Sequence, residues 1–192
     1  MDLYDELPQV VRVFAGNDLD YAICGGIAVA FHGYERFTRG IDLLILPEDL
    51  DRAHDLLEQV GFLDPSGRIP FKDRSGNNCP VFRGVSFQLA IMRVRKLEAY
   101  ATYFSNDPKH HDLYRITKCD GPGFLILDLL VVNEALAEAW KNRMAYNWNG
   151  TEIKVVSKEG LAEMKRMAGR DKDLVDLKQL GLDDESANNE AK

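Results

Sequence analysis

The chain has 192 residues, of which 45% are hydrophobic and 29% are charged, and its formal net charge is -7 at pH 7. This length suits one domain around one core, and no apolar run approaches the roughly eighteen residues that span a bilayer, which excludes a membrane protein. The negative charge argues against extended, sequence-independent binding to DNA or RNA, because like charges repel.

The first six residues, MDLYDE, are acidic and lack the basic and apolar regions of a signal peptide, so we expect a cytoplasmic protein. The cysteines Cys24, Cys79 and Cys119 are odd in number and widely spaced, without a CxxC pair. This pattern favours reduced thiols over a disulfide framework or a zinc site.

Hydrophobic periodicity predicts alternating helices and strands in the first third of the chain. In chain order these are a helix over 5–15, a short buried strand over 21–24, a helix over 27–32, an apolar strand over 41–46 and a helix over 50–60. Glycines separate the first four elements, with Gly25 and Gly26 between the first strand and the second helix, and Pro47 ends the strand over 41–46.

The stretch from 62 to 123 is rich in Gly, Asp, Asn and Pro, which predicts short strands and loops. Its regular pieces are predicted as strands over 85–92 and 113–117 and a helix near 95–103. The elements predicted after it are an apolar strand over 124–132, a helix over 134–143, a hairpin over 146–156 turning at Asn149-Gly150, a helix from the Ser157 cap to 168, and a helix over 171–180. We therefore expect one domain over 1–182 with an irregular insert at 62–123, and an acidic, disordered tail over 183–192.

Gly25 and Gly26 lie where a strand turns into a helix, and there the backbone amides of a helix N-terminus can bind phosphate oxygens. A tight turn that needs glycine for its own conformation is the competing interpretation.

Asp42 and Asp128 each interrupt an apolar strand, where an ionised carboxylate is costly unless it is paired, hydrogen-bonded or metal-bound. If the two strands are neighbours in one sheet, both carboxylates can hold a divalent ion at the same end. The alternative is that each lies near a strand end and faces water or a lysine.

Three segments resemble the signature of the minimal nucleotidyltransferases, in particular the AbiEii-type toxin relatives. They are YAICGGIAVAFHGYERFTRGIDLLI over 21–45, FLILDLLVV over 124–132 and KRMAGRDKDLVD over 165–176. The resemblance implies an α/β nucleotidyltransferase fold, with a central mixed β-sheet flanked by helices and a C-terminal helical segment. It also implies transfer of a nucleoside monophosphate from a nucleoside triphosphate to a hydroxyl on RNA, protein or a small molecule.

The same resemblance assigns roles to particular residues. Gly25 and Gly26 would cradle the triphosphate, and Asp42 and Asp128 would be catalytic and bind Mg²⁺ or Mn²⁺. The remaining nucleotide-binding residues that it implies are Arg36 and Thr38 at the pocket rim and Lys165, Arg170 and Lys172 near phosphate or substrate. An antitoxin partner is implied for a chain that acts as a toxin.

Gly40 departs from the family pattern, because it stands where the first aspartate of the Asp-x-Asp motif belongs. Residues two apart on a strand share a face, so the chain lacks one metal ligand beside Asp42. This leaves open a catalytically impaired descendant that binds nucleotide or a protein partner, and a scaffold that binds neither.

Two further features have structural interpretations. The charges of the 165–176 motif have the spacing of surface ion pairs within a helix. His32 before Gly33 favours a capping or packing role over that of a base, and His110-His111 lacks the helical spacing of a metal pair.

Overall fold

A computed structural model of the chain describes residues 2–63, 67–68, 113–120 and 123–183. The strands are β1 (Ala22–Ile23), β2 (Gly40–Ile45), β3 (Gly67–Arg68), β4 (Leu113–Asp120), β5 (Gly123–Val131), β6 (Met144–Trp148) and β7 (Thr151–Val155). The helices are α1 (Leu3–Ala15), α2 (Gly25–Phe31), α3 (Leu50–Gln59), α4 (Ala137–Lys141), α5 (Lys158–Ala168) and α6 (Asp171–Gln179). Short 3-10 turns at Pro47–Asp49 and Glu134–Leu136 precede α3 and α4.

The strands form one seven-stranded mixed sheet in the order β3-β4-β5-β2-β1-β7-β6. Strand β2 pairs parallel with β5 and antiparallel with β1, while β4 and β5 form an antiparallel pair. Helices flank the sheet, and α5 and α6 follow the last strand. The predicted α/β class, with a central mixed sheet and a C-terminal helical segment, is therefore confirmed.

The two central strands explain the long apolar runs in the sequence. Ile41, Leu43 and Ile45 of β2 are completely buried, as are Leu127 and Leu129 of β5. A strand with neighbours on both sides and cover on both faces is expected to be apolar throughout. The single carboxylate within each run is thus the exception that requires an explanation.

Helix α1 begins at Leu3, two residues before its predicted start. The side chain of Asp2 accepts a hydrogen bond from the backbone N–H of Tyr4 and caps the helix. Its apolar stripe packs into the core, where Leu7, Val10 and Phe14 are completely buried. The predicted helical spacing is therefore confirmed, with a capping residue that extends the helix.

The second half of the sheet also follows the sequence closely. The predicted hairpin turns at Asn149 and Gly150, which both have positive φ, at 51° and 79°. Ser157 accepts a hydrogen bond from the backbone N–H of Gly160 and caps α5, as predicted. The helix predicted over 134–143 is confirmed over 134–141, where a 3-10 turn capped by Asn133 leads directly into the short α4, with Asn142 as its C-cap.

The predicted strand over 113–117 is confirmed and extends to Asp120, since it pairs with β5 along its whole length. The strand predicted over 85–92, the helix near 95–103, and the tail from 184 onward lie outside the described residues. The division into one domain, an insert and a tail stays a prediction.

No helix in the described part of the chain is long and apolar enough to cross a membrane. Cys24 is buried and Cys119 is exposed, and both are free thiols, while Cys79 lies outside the described residues.

Candidate functional site

The Gly25-Gly26 turn lies at the junction of β1 and α2, and these glycines are the first two residues of the helix. Gly25 has φ +61°, and a Cβ there would lie 2.0 Å from Oδ2 of Asp42. A Cβ on Gly26 would lie 2.7 Å from Oγ1 of Thr38. The turn therefore needs glycine at position 25 for its positive φ, and at both positions because the side chains of Asp42 and Thr38 approach the backbone closely.

Replacing Gly25 with Ala is expected to lower the free energy of unfolding by about 2 kcal/mol or more, because it combines a positive φ with the overlap at Asp42. Gly150→Ala is the matched control. Its φ is also positive, at +79°, but no atom of the described residues lies within 4 Å of the added Cβ, so about 1 kcal/mol is expected. Urea unfolding of both variants measures the difference, and equal losses would contradict the role of Asp42.

Asp42 and Asp128 lie directly beside each other on β2 and β5, paired in register across the parallel strands. The condition on which a shared site for the two carboxylates depends, that their strands are neighbours in one sheet, is therefore met. Asp42 receives a hydrogen bond from the backbone of Gly26 and forms no ion pair with a described residue. Its removal from water, followed by repulsion from Asp128, raises the pKa of Asp42 to about 6.

Asp128 has a partner that is absent from the residues predicted for the site. Arg115 of β4 is its cross-strand neighbour, and its Nε and Nη2 donate to Oδ1 and Oδ2 of Asp128 at 2.7 and 2.8 Å. This bidentate pair raises the pKa of Arg115 above its ordinary value. The available signal was an arginine inside the predicted strand over 113–117, since an antiparallel pairing with the Asp128 strand places cation opposite anion.

The carboxylates fit a divalent cation poorly in this arrangement. Both oxygens of Asp128 are bonded to a guanidinium, and no group of three His, Cys, Asp or Glu suited to a metal occurs in the described ranges. Gly40 offers no ligand, and even a Cβ there would lie 3.0 Å from the carbonyl oxygen of Ile126. Mg²⁺ requires an octahedral set of oxygens, so the assignment of Asp42 and Asp128 as metal ligands stays a prediction that this geometry does not favour.

One basic residue of the C-terminal motif, Lys165, forms ion pairs with two aspartates of the same motif. Nζ of Lys165, on α5, lies 2.5 Å from Oδ2 of Asp176 and 3.4 Å from Oδ1 of Asp173, both on α6. All three side chains are at least 95% buried. The interpretation of these charges as surface ion pairs is therefore wrong, because they connect two helices inside the protein.

Arginines from two connecting segments, before β2 and before α6, complete this charged cluster. Nε of Arg36 lies 2.9 Å from Oδ1 of Asp176, although its N–H is not directed at that oxygen. Arg170 forms a bidentate contact with Asp173, with Nε at 2.5 Å. Desolvation of Asp173 opposes ionisation, but the hydrogen bonds from Arg170 and the nearby charges lower the pKa of Asp173 below its ordinary value.

Lys172 differs from the other predicted basic residues. Lys172 is exposed to solvent and forms no ion pair with a described residue. Partial desolvation, and then the nearby charge of Arg170, lower the pKa of Lys172. It is therefore the cationic side chain of the motif that is best placed to contact a ligand.

A cavity of about 600 Å³ brings these groups together. All the predicted site residues line it, including Gly25, Gly26, Arg36 and Thr38. Of the described residues, six cationic side chains and three carboxylates line the cavity: Arg36, Arg39, Arg115, Lys165, Arg170 and Lys172, with Asp42, Asp128 and Asp173. A protein with a net charge of -7 thus has a cavity with an excess of positive charge.

The chain is similar in structure to ANT(2")-Ia. The solved structure of that protein, in complex with adenylyl-2"-tobramycin, matches with a TM-score of 0.48 and 11% sequence identity, over 91% of this chain and 85% of that chain. No protein-family model matches the chain, and no curated protein matches it significantly.

The histidines do not contribute to the cavity in the described residues. Nε2 of His32 lies 2.8 Å from the carbonyl oxygen of Val156, and His32 ends α2. Its predicted capping and packing role is confirmed. His110 and His111 lie outside the described residues.

Proposed function

We propose that the chain is a nucleotidyltransferase-like protein that binds a nucleoside triphosphate in this cavity and transfers a nucleoside monophosphate to a hydroxyl acceptor on RNA, protein or a small molecule. The observation that carries the proposal is the row of Asp42 and Asp128 beside the Gly25-Gly26 turn, inside a cavity with excess positive charge. This combination is the one that the sequence resemblance implies.

The charge of the cavity suits a polyphosphate. Lys and Arg side chains bind phosphate oxygens through charge-assisted hydrogen bonds, which are stronger than neutral ones. The chain as a whole has a net charge of -7, so the positive charge that attracts an anion is concentrated at this cavity rather than being a property of the whole protein. Lys172 lies on α6 and Arg170 caps that helix, and both line the cavity together with Gly26 and Asp42 of β2.

The apolar part of the cavity suits a nucleoside. Leu130, Leu136, Leu161 and Met164 line it together with the charged residues. Ligand pockets commonly combine an apolar lining with a few charged groups that fix the orientation of the ligand. A base and sugar against the apolar lining and phosphates against the cations would use both parts.

The transfer reaction assigns a role to Asp42. The acceptor oxygen forms a bond with the α-phosphorus, the bond between the α- and β-phosphates breaks, and pyrophosphate leaves. The proton of the acceptor hydroxyl must go to a base, and Asp42 is the cavity carboxylate that has no ion-pair partner among the described residues. Cationic side chains such as Lys172 would neutralise charge on the departing pyrophosphate.

A titration of ATP and of GTP tests the binding step. Saturable binding is expected, and Lys172→Ala is expected to weaken it about tenfold, because one charge-assisted contact to phosphate is lost. Lys178→Ala is the matched control, since Lys178 is exposed on the same helix and does not line the cavity. The absence of saturable binding with any nucleoside triphosphate, or equal weakening by both variants, would contradict the proposal.

A second candidate function is nucleotide binding without transfer. The bidentate pair of Arg115 and Asp128 favours it, as does the glycine at position 40. Incubation with α-labelled nucleoside triphosphates, a cell extract and Mg²⁺ separates the two. A labelled acceptor that is lost in Asp42→Asn supports transfer, whereas binding with no labelled product supports the second function. A toxin role and an antitoxin partner belong to the first candidate and rest on the sequence resemblance.

A further inference from the structure

Three charged side chains on neighbouring strands form a row in the lining of the cavity. Asp42 on β2, Asp128 on β5 and Arg115 on β4 are aligned in register on three neighbouring strands. Cross-strand partners point to the same face of a sheet, so all three side chains enter the same space. The row thus has the charge order negative, negative, positive.

The pairing of Arg115 uses both oxygens of Asp128, at 2.7 and 2.8 Å, and Asp128 is only 7% exposed. A bidentate guanidinium–carboxylate pair fixes both groups and neutralises the carboxylate charge. A divalent cation at Asp128 would have to displace the guanidinium or accept strong repulsion from it.

The other oxygen ligands among the described residues do not compensate for this loss. Gly40 carries no side chain in the position next to Asp42, and the backbone of Ile126 leaves little room for one. Asp42 alone then offers a carboxylate without an ion-pair partner in the described part of the cavity. One carboxylate is a weak site for Mg²⁺, which binds proteins through carboxylates together with substrate phosphates.

We propose that Arg115 supplies, beside Asp128, the positive charge that a divalent cation would otherwise supply, so that the cavity binds nucleoside triphosphate without a metal ion. This inference rests on the proposed nucleotide site and specifies its charge chemistry. Arg115 acts as a binding residue, and the cations of the C-terminal motif hold the outer phosphates. Divalent cations in solution then bind to the nucleotide itself more than they bind to the cavity.

The first experiment uses the unchanged protein. ATP and GTP are titrated in the presence of excess Mg²⁺ and again in the presence of EDTA, and the two dissociation constants are expected to agree within about threefold. Binding that is lost in EDTA and restored by Mg²⁺ would overturn the inference while leaving the nucleotide site intact. No binding in either buffer would overturn the proposed function, and this inference with it.

The second experiment measures the metal alone. Mn²⁺ is titrated without nucleotide and its free fraction is followed by electron paramagnetic resonance. The unchanged protein is expected to have no Mn²⁺ site that depends on Asp128, so Asp128→Asn should leave Mn²⁺ binding unchanged. Arg115→Met is expected to bind Mn²⁺ about tenfold or more tightly than the unchanged protein, because Asp128 is released from the guanidinium. A site in the unchanged protein that Asp128→Asn removes would overturn the inference.

Variants of Arg115 complete the test. In EDTA, Arg115→Met is expected to bind ATP about tenfold more weakly than the unchanged protein, and added Mg²⁺ is expected to restore most of that affinity. Arg52→Met is the matched control, because Arg52 also contacts a carboxylate, that of Asp49, but does not line the cavity. If Arg115→Met fails to fold, Arg115→Lys keeps one charge without the paired hydrogen bonds and is expected to show a smaller loss in EDTA. Unchanged ATP affinity in both Arg115 variants would overturn the inference.

Discussion

Replacing Lys165 with Met is expected to lower the free energy of unfolding by about 3–5 kcal/mol, the largest effect that we expect from a single substitution in this protein. The ammonium group of Lys165 lies between Asp173 and Asp176, and both carboxylates are almost completely buried. Met fills a similar volume but supplies no charge. The substitution therefore leaves two buried anions with less compensation, which is costlier than losing the contacts themselves.

The arginines around this cluster limit the loss without preventing it. Arg36 stays near Asp176, and Arg170 stays bonded to Asp173, so neither anion is left entirely without a cation. However, the exposed side chain of Arg170 lies at the edge of the cluster, whereas Lys165 lies within it. The ammonium group of Lys165, at the centre of the cluster, is the charge that connects α5 to α6.

Chemical denaturation of Lys165→Met and of Lys178→Met measures the effect. Lys178 is exposed on α6, and its replacement is expected to change stability by no more than about 0.5 kcal/mol. The double variant Lys165→Met, Asp176→Leu is expected to recover part of the loss, because it removes one of the two buried anions that lose the compensation of Lys165. A loss in Lys165→Met no larger than in the control would show that the cluster does not stabilise the packing of the two helices.

Asp42→Asn is expected to have the opposite effect and to raise the free energy of unfolding at pH 7 by about 3 kcal/mol. The folded protein raises the pKa of Asp42 from 3.8 to about 6, first through desolvation and then through Asp128. A carboxyl group that ionises less readily in the folded state than in the unfolded state opposes folding once it is charged. Asn removes this charge and keeps an oxygen that can accept the hydrogen bond from Gly26.

The pH dependence follows from the same shift. Below about pH 3.8 Asp42 is protonated in both the folded and the unfolded state and costs nothing. As the pH rises towards 6, the unfolded state loses its proton first, and the stability of the unchanged protein falls relative to that of Asp42→Asn. Above about pH 6 the full difference is present.

Thermal unfolding in EDTA from pH 4 to pH 8 measures this difference, and EDTA ensures that no divalent cation contributes. Asp51→Asn is the control, because Asp51 is exposed on α3 and lies outside the cavity. A stability difference between Asp42→Asn and the unchanged protein that does not grow with pH would contradict the assigned cause. The same variant is expected to lose nucleotidyl transfer, so a more stable and inactive protein is the combined expected result.

These two predictions describe different uses of charge at one cavity. The Lys165 cluster stabilises the packing of the C-terminal helices against the loop that carries Arg36. The raised pKa of Asp42 predicts that its charge opposes folding, which is the pattern expected of a residue retained for chemistry or binding.

Several features were determined by the sequence itself, because they depend on local patterns. The periodicity of Leu7, Val10 and Phe14 predicted α1, and the Asn149-Gly150 pair predicted the hairpin turn. Asp42 and Asp128 could be selected because a charged residue inside an apolar run is costly wherever that run lies in the fold. Whether their two strands are neighbours was left open by the sequence, and the pairing of β2 with β5 answers it.

The state of each charge was decided only by the tertiary structure. Nothing local indicates that Arg115 would occupy both oxygens of Asp128, because their pairing depends on the register of β4 against β5. The sequence spacing of Lys165, Asp173 and Asp176 is compatible with ion pairs on an exposed helix and with a buried contact between two helices. The structure shows the buried contact. The sequence therefore selected several residues that the structure brings to one cavity, but not Arg115, and the long-range packing determined which of the cavity charges neutralise each other.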